Sequence, residues 1–247
     1  MIVNSKATGW EIFSHSAHGL LAGKIANELR KEYKDENWVA TLTAIIEHDD
    51  RQLNFREKDY LTKIGTPQNF LDEKRKVKDV IKRSKRLLEQ SREKSSWITI
   101  LVIHHLQFLY KELANQKKSI AKFLSQLAVE KEKLSKINRF SKKYIETIYQ
   151  IMVFADRCSL ILTQDLIPTM NRKLEINTSI NGDTYYIFQL QSGSITISPW
   201  IFEKDSFSLT CEYKLLTNSS FDNNASFKKS LQNSDTQIKK WEFSPSN

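Results

Sequence analysis

Helix-breaking residues are scarce in this sequence, which has six glycines and four prolines among 247 residues. Because glycine and proline interrupt helices, their scarcity favours long helices. The two cysteines, Cys158 and Cys211, form no CxxC pair, so we expect neither a disulfide framework nor a cysteine-built zinc site. No apolar run reaches the length of a membrane span, and the N-terminus lacks the apolar segment of a signal peptide. We therefore expect a cytoplasmic protein without a membrane partner.

The charge balance is basic, with a formal net charge of +9 and a pI of about 9.4. Such a balance favours acidic partners, including nucleotides and nucleic acid. A compositional bias toward Lys, Ile, Asn and Ser explains it equally well. The chain is 40% hydrophobic and 27% charged, which is ordinary for a globular protein, so disorder is not expected.

Apolar periodicity divides the chain near Pro168. Before it, helices are predicted at 15–33, 37–50, 71–91, 95–115, 117–137 and 141–166, with a short strand or extended arm at 1–13 and a loop at 51–70. After it, strands are predicted at 185–190, 194–198, 208–216 and 237–245, with Gly193 in a hairpin turn and a loose loop at 217–234. The pattern predicts a mainly α protein: a helical bundle of residues 1–168 with a small antiparallel β appendage, residues 169–247, packed on it.

Asp156 is the most informative acid, because it lies inside the apolar run IMVFADRCSL. An ionised aspartate on a core helix is costly unless it is paired or binds a metal. A buried ion pair with Arg157 or Arg51 is therefore one interpretation, and metal binding is the other.

The histidines strengthen the second interpretation. His15 and His18 share one helix face, and His48 stands beside Asp49 and Asp50 at the end of the second predicted helix. Imidazole nitrogen and carboxylate oxygen together suit Mn, Fe, Zn or Ni, and Mg less well. The ordered set of His18, His48–Asp49 and Asp156, each on its own apolar helix, therefore predicts a divalent metal site.

This ordered set resembles the HD superfamily of metal-dependent phosphohydrolases, which implies an HD-like helical bundle. More closely, the chain resembles a bacterial family of HD-like proteins labelled a domain of unknown function. The matching stretches are HGLLAGKIA, AIIEHDD, GTPQNF, LVIHHLQFLY, FADRCSL and ISPWIF, which span most of residues 1–202. The run HDDRQL departs from the family, whose pattern continues HD with a small residue and a tryptophan.

The resemblance implies a role for each matching residue. The metal ligands would be His18, His48, Asp49 and Asp156, holding one or two divalent ions (Mn, Fe, Ni, Zn or Mg). Asp49, Asp50 and His105 are assigned to catalysis, and Arg51, His104 and Lys24 to substrate binding. LVIHH leaves open which of its two histidines points inward. Arg51, Lys24 and Arg157 are the cations that lie near the ligands in sequence.

The predicted function is that of a metal-dependent phosphohydrolase or phosphodiesterase acting on a nucleotide-like phosphate ester. One alternative is a non-catalytic metal- or nucleotide-binding regulatory protein. The other is a nuclease or nucleic-acid-binding protein that uses the basic helix 74–92. Acids alternate with bases in that helix, so intrahelical pairs absorb part of its charge. We therefore expect Lys-to-Glu changes across Lys74–Arg86 to leave hydrolysis of small nucleotides intact. The oligomeric state is left open.

Overall fold

The computed structural model describes residues 1–170 and 172–246, and eight α-helices lie within them. They are α1 (His15–Asn27), α2 (Trp38–Glu47), α3 (Val77–Lys94), α4 (Ser96–Leu109), α5 (Lys111–Gln116), α6 (Lys118–Ile137), α7 (Lys142–Thr163) and α8 (Asn224–Asn233). Serine side chains cap the starts of α1, α4 and α7, where Ser14, Ser95 and Ser141 accept hydrogen bonds from backbone N–H groups of the first turn. The sequence thus marks where these three helices begin.

Seven strands form one mixed sheet. They are β1 (Ile2–Lys6), β2 (Gly9–Phe13), β3 (Leu174–Ile180), β4 (Asp183–Gln189), β5 (Ile195–Ser198), β6 (Phe207–Leu216) and β7 (Thr236–Phe243). The strand order is β1-β2-β6-β7-β5-β4-β3. Every neighbouring pair is antiparallel except β5 and β7, which are parallel.

The predicted mainly α bundle with a small β appendage is wrong. The sheet has seven strands. Its first two, β1 and β2, come from the N-terminal residues, and β2 pairs with β6 from the other end of the chain. Strand pairing over such a separation depends on tertiary contacts that local periodicity does not encode. The predicted division into two domains at residue 168 is a separate matter and stays a prediction. Asn171 and Asn247 of the predicted second domain lie outside the described residues.

The predicted loose loop at 217–234 is also wrong in part, since α8 occupies its second half. Asn223 caps this helix in a reciprocal capping box with Ser226. Phe227 is fully buried, and the side chain of Asn224 donates to the carbonyls of Phe55 and Lys58. The segment therefore folds through its cap and these contacts, despite its low apolar content.

Helix α1 is the structural centre of the site, because it packs against α2, α7 and β6. Its approach to α2 requires small residues. A Cβ on Gly19 would lie 2.2 Å from the carbonyl oxygen of Ile46, and one on Gly23 would lie 2.4 Å from Cγ1 of the same residue. This contact brings His18 of α1 close to the end of α2. Among the described residues, no helix is long and apolar enough to cross a membrane.

Candidate metal centre

The end of α2 meets α1 and α7 at a buried cluster of histidines and aspartates. Potential ligand atoms of His18, His48 and Asp49 all lie within 4.8 Å of one another. Asp156 adds its Oδ1, which is 3.4 Å from Nε2 of His18 and 3.2 Å from Nε2 of His48. The structure thus brings together all four residues that the sequence predicted as ligands.

Hydrogen bonds orient both imidazoles toward the cluster. Nδ1 of His48 donates to the Ile45 carbonyl at 2.6 Å. Nδ1 of His18 is 2.7 Å from Oγ of Ser159, and that hydroxyl donates onward to the Asp156 carbonyl, so the imidazole is the donor. Because Nδ1 is the donor in both rings, Nε2 is the ring atom that each imidazole turns toward the cluster. Nε2 of His18 is buried and has no hydrogen-bond partner among residues 1–170 and 172–246.

Asp49 has two further partners, one of which the sequence analysis missed. Nη2 of Arg83 donates to Asp49 Oδ1 at 2.8 Å, and Nδ1 of His15 lies 3.0 Å from Asp49 Oδ2. Arg83 is only 6% exposed, and its guanidinium also donates to the carbonyls of His48 and Asp50. Its spacing offered a signal, since Arg83 lies among the buried positions Val80, Ser84, Leu87 and Leu88 of α3. An arginine on the apolar face of a helix requires a buried acceptor.

Mutual electrostatics set the charge states of the cluster. Burial disfavours the charged form of His48, but the carboxylate of Asp156 outweighs it and raises the His48 pKa to about 9. Burial also disfavours the charged forms of Asp49 and Asp156 and so tends to raise their pKa values. Arg83 beside Asp49 and His48 beside Asp156 outweigh this effect, and both carboxyl pKa values lie below the ordinary range. Without an ion, the two carboxylates therefore favour a proton on His48. A bound metal cation would replace that proton and balance the carboxylate charge in its place.

The directions of the two rings show which of His104 and His105 points into the site. His105 packs edge-on against His48, with ring centroids 5.0 Å apart, and lines the cavity above the cluster. His104 stacks on Tyr149, and its Nε2 lies 3.3 Å from Glu146. Burial lowers the His105 pKa to about 3. His105 therefore faces the site, and His104 does not line the cavity.

The remaining residues predicted for catalysis or substrate binding lie at the border of the cluster or outside it. Asp50 accepts a hydrogen bond from Ser16 and lines a second cavity, together with Arg51, whose Nε donates to Gln90. Lys24 donates to the carbonyl of Thr210 in β6, and it does not line the cavity above the cluster. Arg157 does line that cavity, and the predicted Asp156–Arg157 or Asp156–Arg51 ion pair does not form within the part of the chain that the structure describes.

A cavity of about 450 Å³ opens above the cluster. Its cationic residues are Lys58, Arg75, Lys76, Arg83 and Arg157. Three of these, Arg75, Lys76 and Arg83, belong to the predicted basic helix 74–92. The first two precede α3, and Arg83 lies within it. The basic helix thus contributes to the site, contrary to our expectation that it is separate. Arg83 and Lys58 are paired with Asp49 and Glu73, respectively.

The donor set fits a divalent transition ion. Two imidazole nitrogens and two carboxylates are the ligands that Mn, Fe, Zn and Ni accept. The unsatisfied Nε2 of His18 independently indicates a missing partner, since buried polar atoms are normally hydrogen-bonded or metal-bound. Ser159, Arg83 and the Ile45 carbonyl supply the outer contacts that orient such ligands.

Comparison with known proteins gives one family. No curated protein and no solved structure matches the chain. A family model described as "Protein of unknown function (DUF3891)" matches residues 1–218, and this range contains every residue of the cluster. The chain therefore belongs to the DUF3891 family.

Proposed function

We propose that this protein is a metal-dependent phosphohydrolase of the HD type, acting on a nucleotide-like phosphate ester. The observation that carries the proposal is the convergence of the His18 and His48 Nε2 atoms with the carboxylates of Asp49 and Asp156 at a cavity lined by cations. The sequence order of these four residues resembles the HD superfamily. Membership of that superfamily is part of the proposal.

The chemistry would be metal-assisted hydrolysis. His18, His48, Asp49 and Asp156 would hold a divalent ion, which would supply a Lewis acid for activating water and polarising a phosphoryl oxygen. The protein's own part is to hold the ligands and to balance charge. Arg83 and His15 hold Asp49 in place, whereas Arg157, Arg75 and Lys76 offer cationic groups to the phosphate.

His105 contributes a hydrogen-bonding group at the cavity wall. Its Nδ1 lies 3.3 Å from the hydroxyl of Tyr149, so Nε2 is the ring nitrogen left for the water or for the leaving oxygen. With its pKa lowered to about 3 by burial, the neutral imidazole would serve as a hydrogen-bonding group. Asp50, which the sequence analysis assigned to catalysis, is bonded to Ser16 at the second cavity, so we give it no step.

The first experiment measures metal content by plasma mass spectrometry on protein purified without chelator or histidine tag. The test variant is His48→Ala, and His104→Ala is its control. Both are compared with wild type, and all three proteins are then screened for hydrolysis of phosphate esters in the presence of Mn, Fe, Ni, Zn or Mg. We expect one or two ions per chain in wild type and His104→Ala, loss in His48→Ala, and turnover that follows the metal. Metal without turnover would leave the non-catalytic binding alternative, and no metal after reconstitution would overturn the site itself.

The nucleic-acid alternative receives less support from the contacts of the basic helix. Arg86 and Arg92 pair with Glu57 and Glu130, and Arg83 faces the metal cluster. Their charge is therefore partly neutralised by the protein itself. This alternative predicts binding that weakens steeply with salt.

A further inference from the structure

Strand β3 is irregular where it borders the cavity. Asn177 has a φ of 57°, and the register of β3 with β4 shifts between Glu175 and Ser179. An L-residue in this left-handed region is uncommon, although asparagine tolerates it better than most. Bulges of this kind are over-represented beside active sites, where they redirect a side chain. Both Glu175 and Asn177 line the cavity above the metal cluster.

The position of β3 explains how it reaches the site. It is the edge strand of the sheet, and it packs on α7, the helix that carries Asp156. The amide of Asn177 can both donate and accept, whereas the carboxylate of Glu175 accepts hydrogen bonds. Leu174 and Ile176 of the same strand also line the cavity, so its hydrogen-bonding groups on β3 come from Glu175 and Asn177, and they suit a ligand that carries both donors and acceptors.

The cavity also has an exposed apolar rim. Leu71, Phe108 and Leu166 line it and are 62%, 50% and 54% exposed, respectively. Large apolar side chains grouped at the mouth of a cavity usually mark a binding surface. The cavity volume of about 450 Å³ is in the range of ligand pockets and exceeds what a phosphate group alone would occupy. A phosphate at the metal cluster would thus leave its alcohol group between this rim and β3.

We propose that the bulged strand β3 and the rim residue Phe108 form a specificity subsite for a nucleoside, the alcohol portion of the phosphate ester. The aromatic base would pack on the apolar rim, and Asn177 and Glu175 would hydrogen-bond to its polar edge or to the ribose. This subsite rests on the proposed function for the placement of the phosphate. It makes β3 part of substrate selection.

The test uses two asparagines that share a backbone conformation. Asn177→Gly removes the amide without backbone strain, because glycine adopts positive φ freely. Asn181→Gly is the matched control, since Asn181 has a φ of 56° at the end of β3 and does not line the cavity. We expect Asn177→Gly to lower kcat/KM for nucleoside monophosphates about tenfold, as for one lost hydrogen bond, with methyl phosphate unaffected. Equal effects on both esters, or none, would overturn the subsite.

A binding measurement separates failure of the subsite from failure of the hydrolase proposal. Calorimetry would titrate a non-hydrolysable nucleoside phosphonate, with methylphosphonate for comparison, into manganese-loaded wild type, Asn177→Gly and Phe108→Ala. Ile64→Ala serves as the control for Phe108→Ala, because Ile64 is an exposed apolar residue that does not line the cavity. About tenfold weaker binding of the nucleoside compound alone supports the subsite even if no ester is turned over. Unchanged binding in both cavity variants, or no binding to wild type, overturns it even if esters are hydrolysed.

Discussion

Arg83 of the basic helix α3 holds Asp49, the acid of the HD dipeptide, through a hydrogen bond of 2.8 Å between Nη2 and Oδ1. The same guanidinium donates to the carbonyls of His48 and Asp50, and its Nη1 lies 3.2 Å from the hydroxyl of Tyr110. One buried side chain therefore fixes both this acid and the backbone that presents His48 and Asp49 at the end of α2.

Replacing Arg83 with methionine should destabilise the protein and impair metal binding. Removing one partner of a buried ion pair leaves the other charge uncompensated, at a cost of roughly 3–5 kcal/mol. We expect a lower free energy of unfolding in urea and reduced metal content. Arg86→Met is the control on the same helix, because the Arg86 side chain is 39% exposed and its pair with Glu57 lies nearer to solvent, so its loss should cost less. Equal effects of the two substitutions would contradict a special role for Arg83.

Ser159→Ala should weaken metal binding and leave the fold intact. Ser159 accepts from Nδ1 of His18 and so fixes the ring orientation that aims Nε2 at the cluster. Loss of such an outer contact typically lowers metal affinity about 10–100-fold. Competition with a chelating dye would measure the affinity. Thr147→Ala, which alters an exposed hydroxyl on the same helix, should leave the affinity unchanged.

Gly19→Ala should separate α1 from α2, although alanine favours helix more than glycine does. Its Cβ would meet the Ile46 carbonyl oxygen, which is backbone, whereas the Cβ of Gly23→Ala would meet the Ile46 side chain. Overpacking of this kind costs about 1–3 kcal/mol. We expect Ile46→Ala to rescue the thermal stability of Gly23→Ala and not that of Gly19→Ala. Rescue of both would show that the close backbone approach is unimportant.

The metal-free protein should lose stability as the pH rises above neutral. Burial opposes the charge on His48, but Asp156 outweighs it and raises the His48 pKa to about 9, above the unfolded value of about 6.5. The stabilisation is therefore complete below pH 6.5 and is lost as the pH rises through 9. Chelator-treated wild type should show a Tm that falls by several degrees from pH 6 to 10 relative to His48→Gln. Parallel Tm curves for the two proteins would refute this assignment of the proton.

The four proposed metal ligands were predictable from the sequence because they lie in, or directly after, apolar helices. A buried His or Asp is costly without a partner, so its presence in such a segment is itself evidence of pairing or ligation. Local sequence also marked the starts of α1, α4 and α7 through their serine caps. It did not distinguish His104 from His105, because adjacent helical residues diverge by about 100° and α4 is apolar on most of its surface.

Arg83 shows why part of the site escaped sequence reasoning. Its neighbours in α3 are mostly charged, and that composition alone indicates intrahelical pairs, whereas the spacing with Val80 and Leu87 places Arg83 on the buried side. The cationic residues predicted from proximity in sequence fared differently. Lys24 binds Thr210 of β6, and Arg51 binds Gln90, because the direction of a side chain on its helix or turn decides what it contacts.

The sequence by itself determined the helical segments before Pro168, the ordered His–Asp set and the family, since these depend on local periodicity and on residue identity. Only the tertiary structure decided the sheet, in which the N-terminal strand β2 pairs with β6, and the cavity, in which α3, α7 and β3 meet. Strand partners and cavity walls depend on contacts between residues far apart in the chain. Their energies come from packing and burial in three dimensions, which the order of residues along one segment does not reveal.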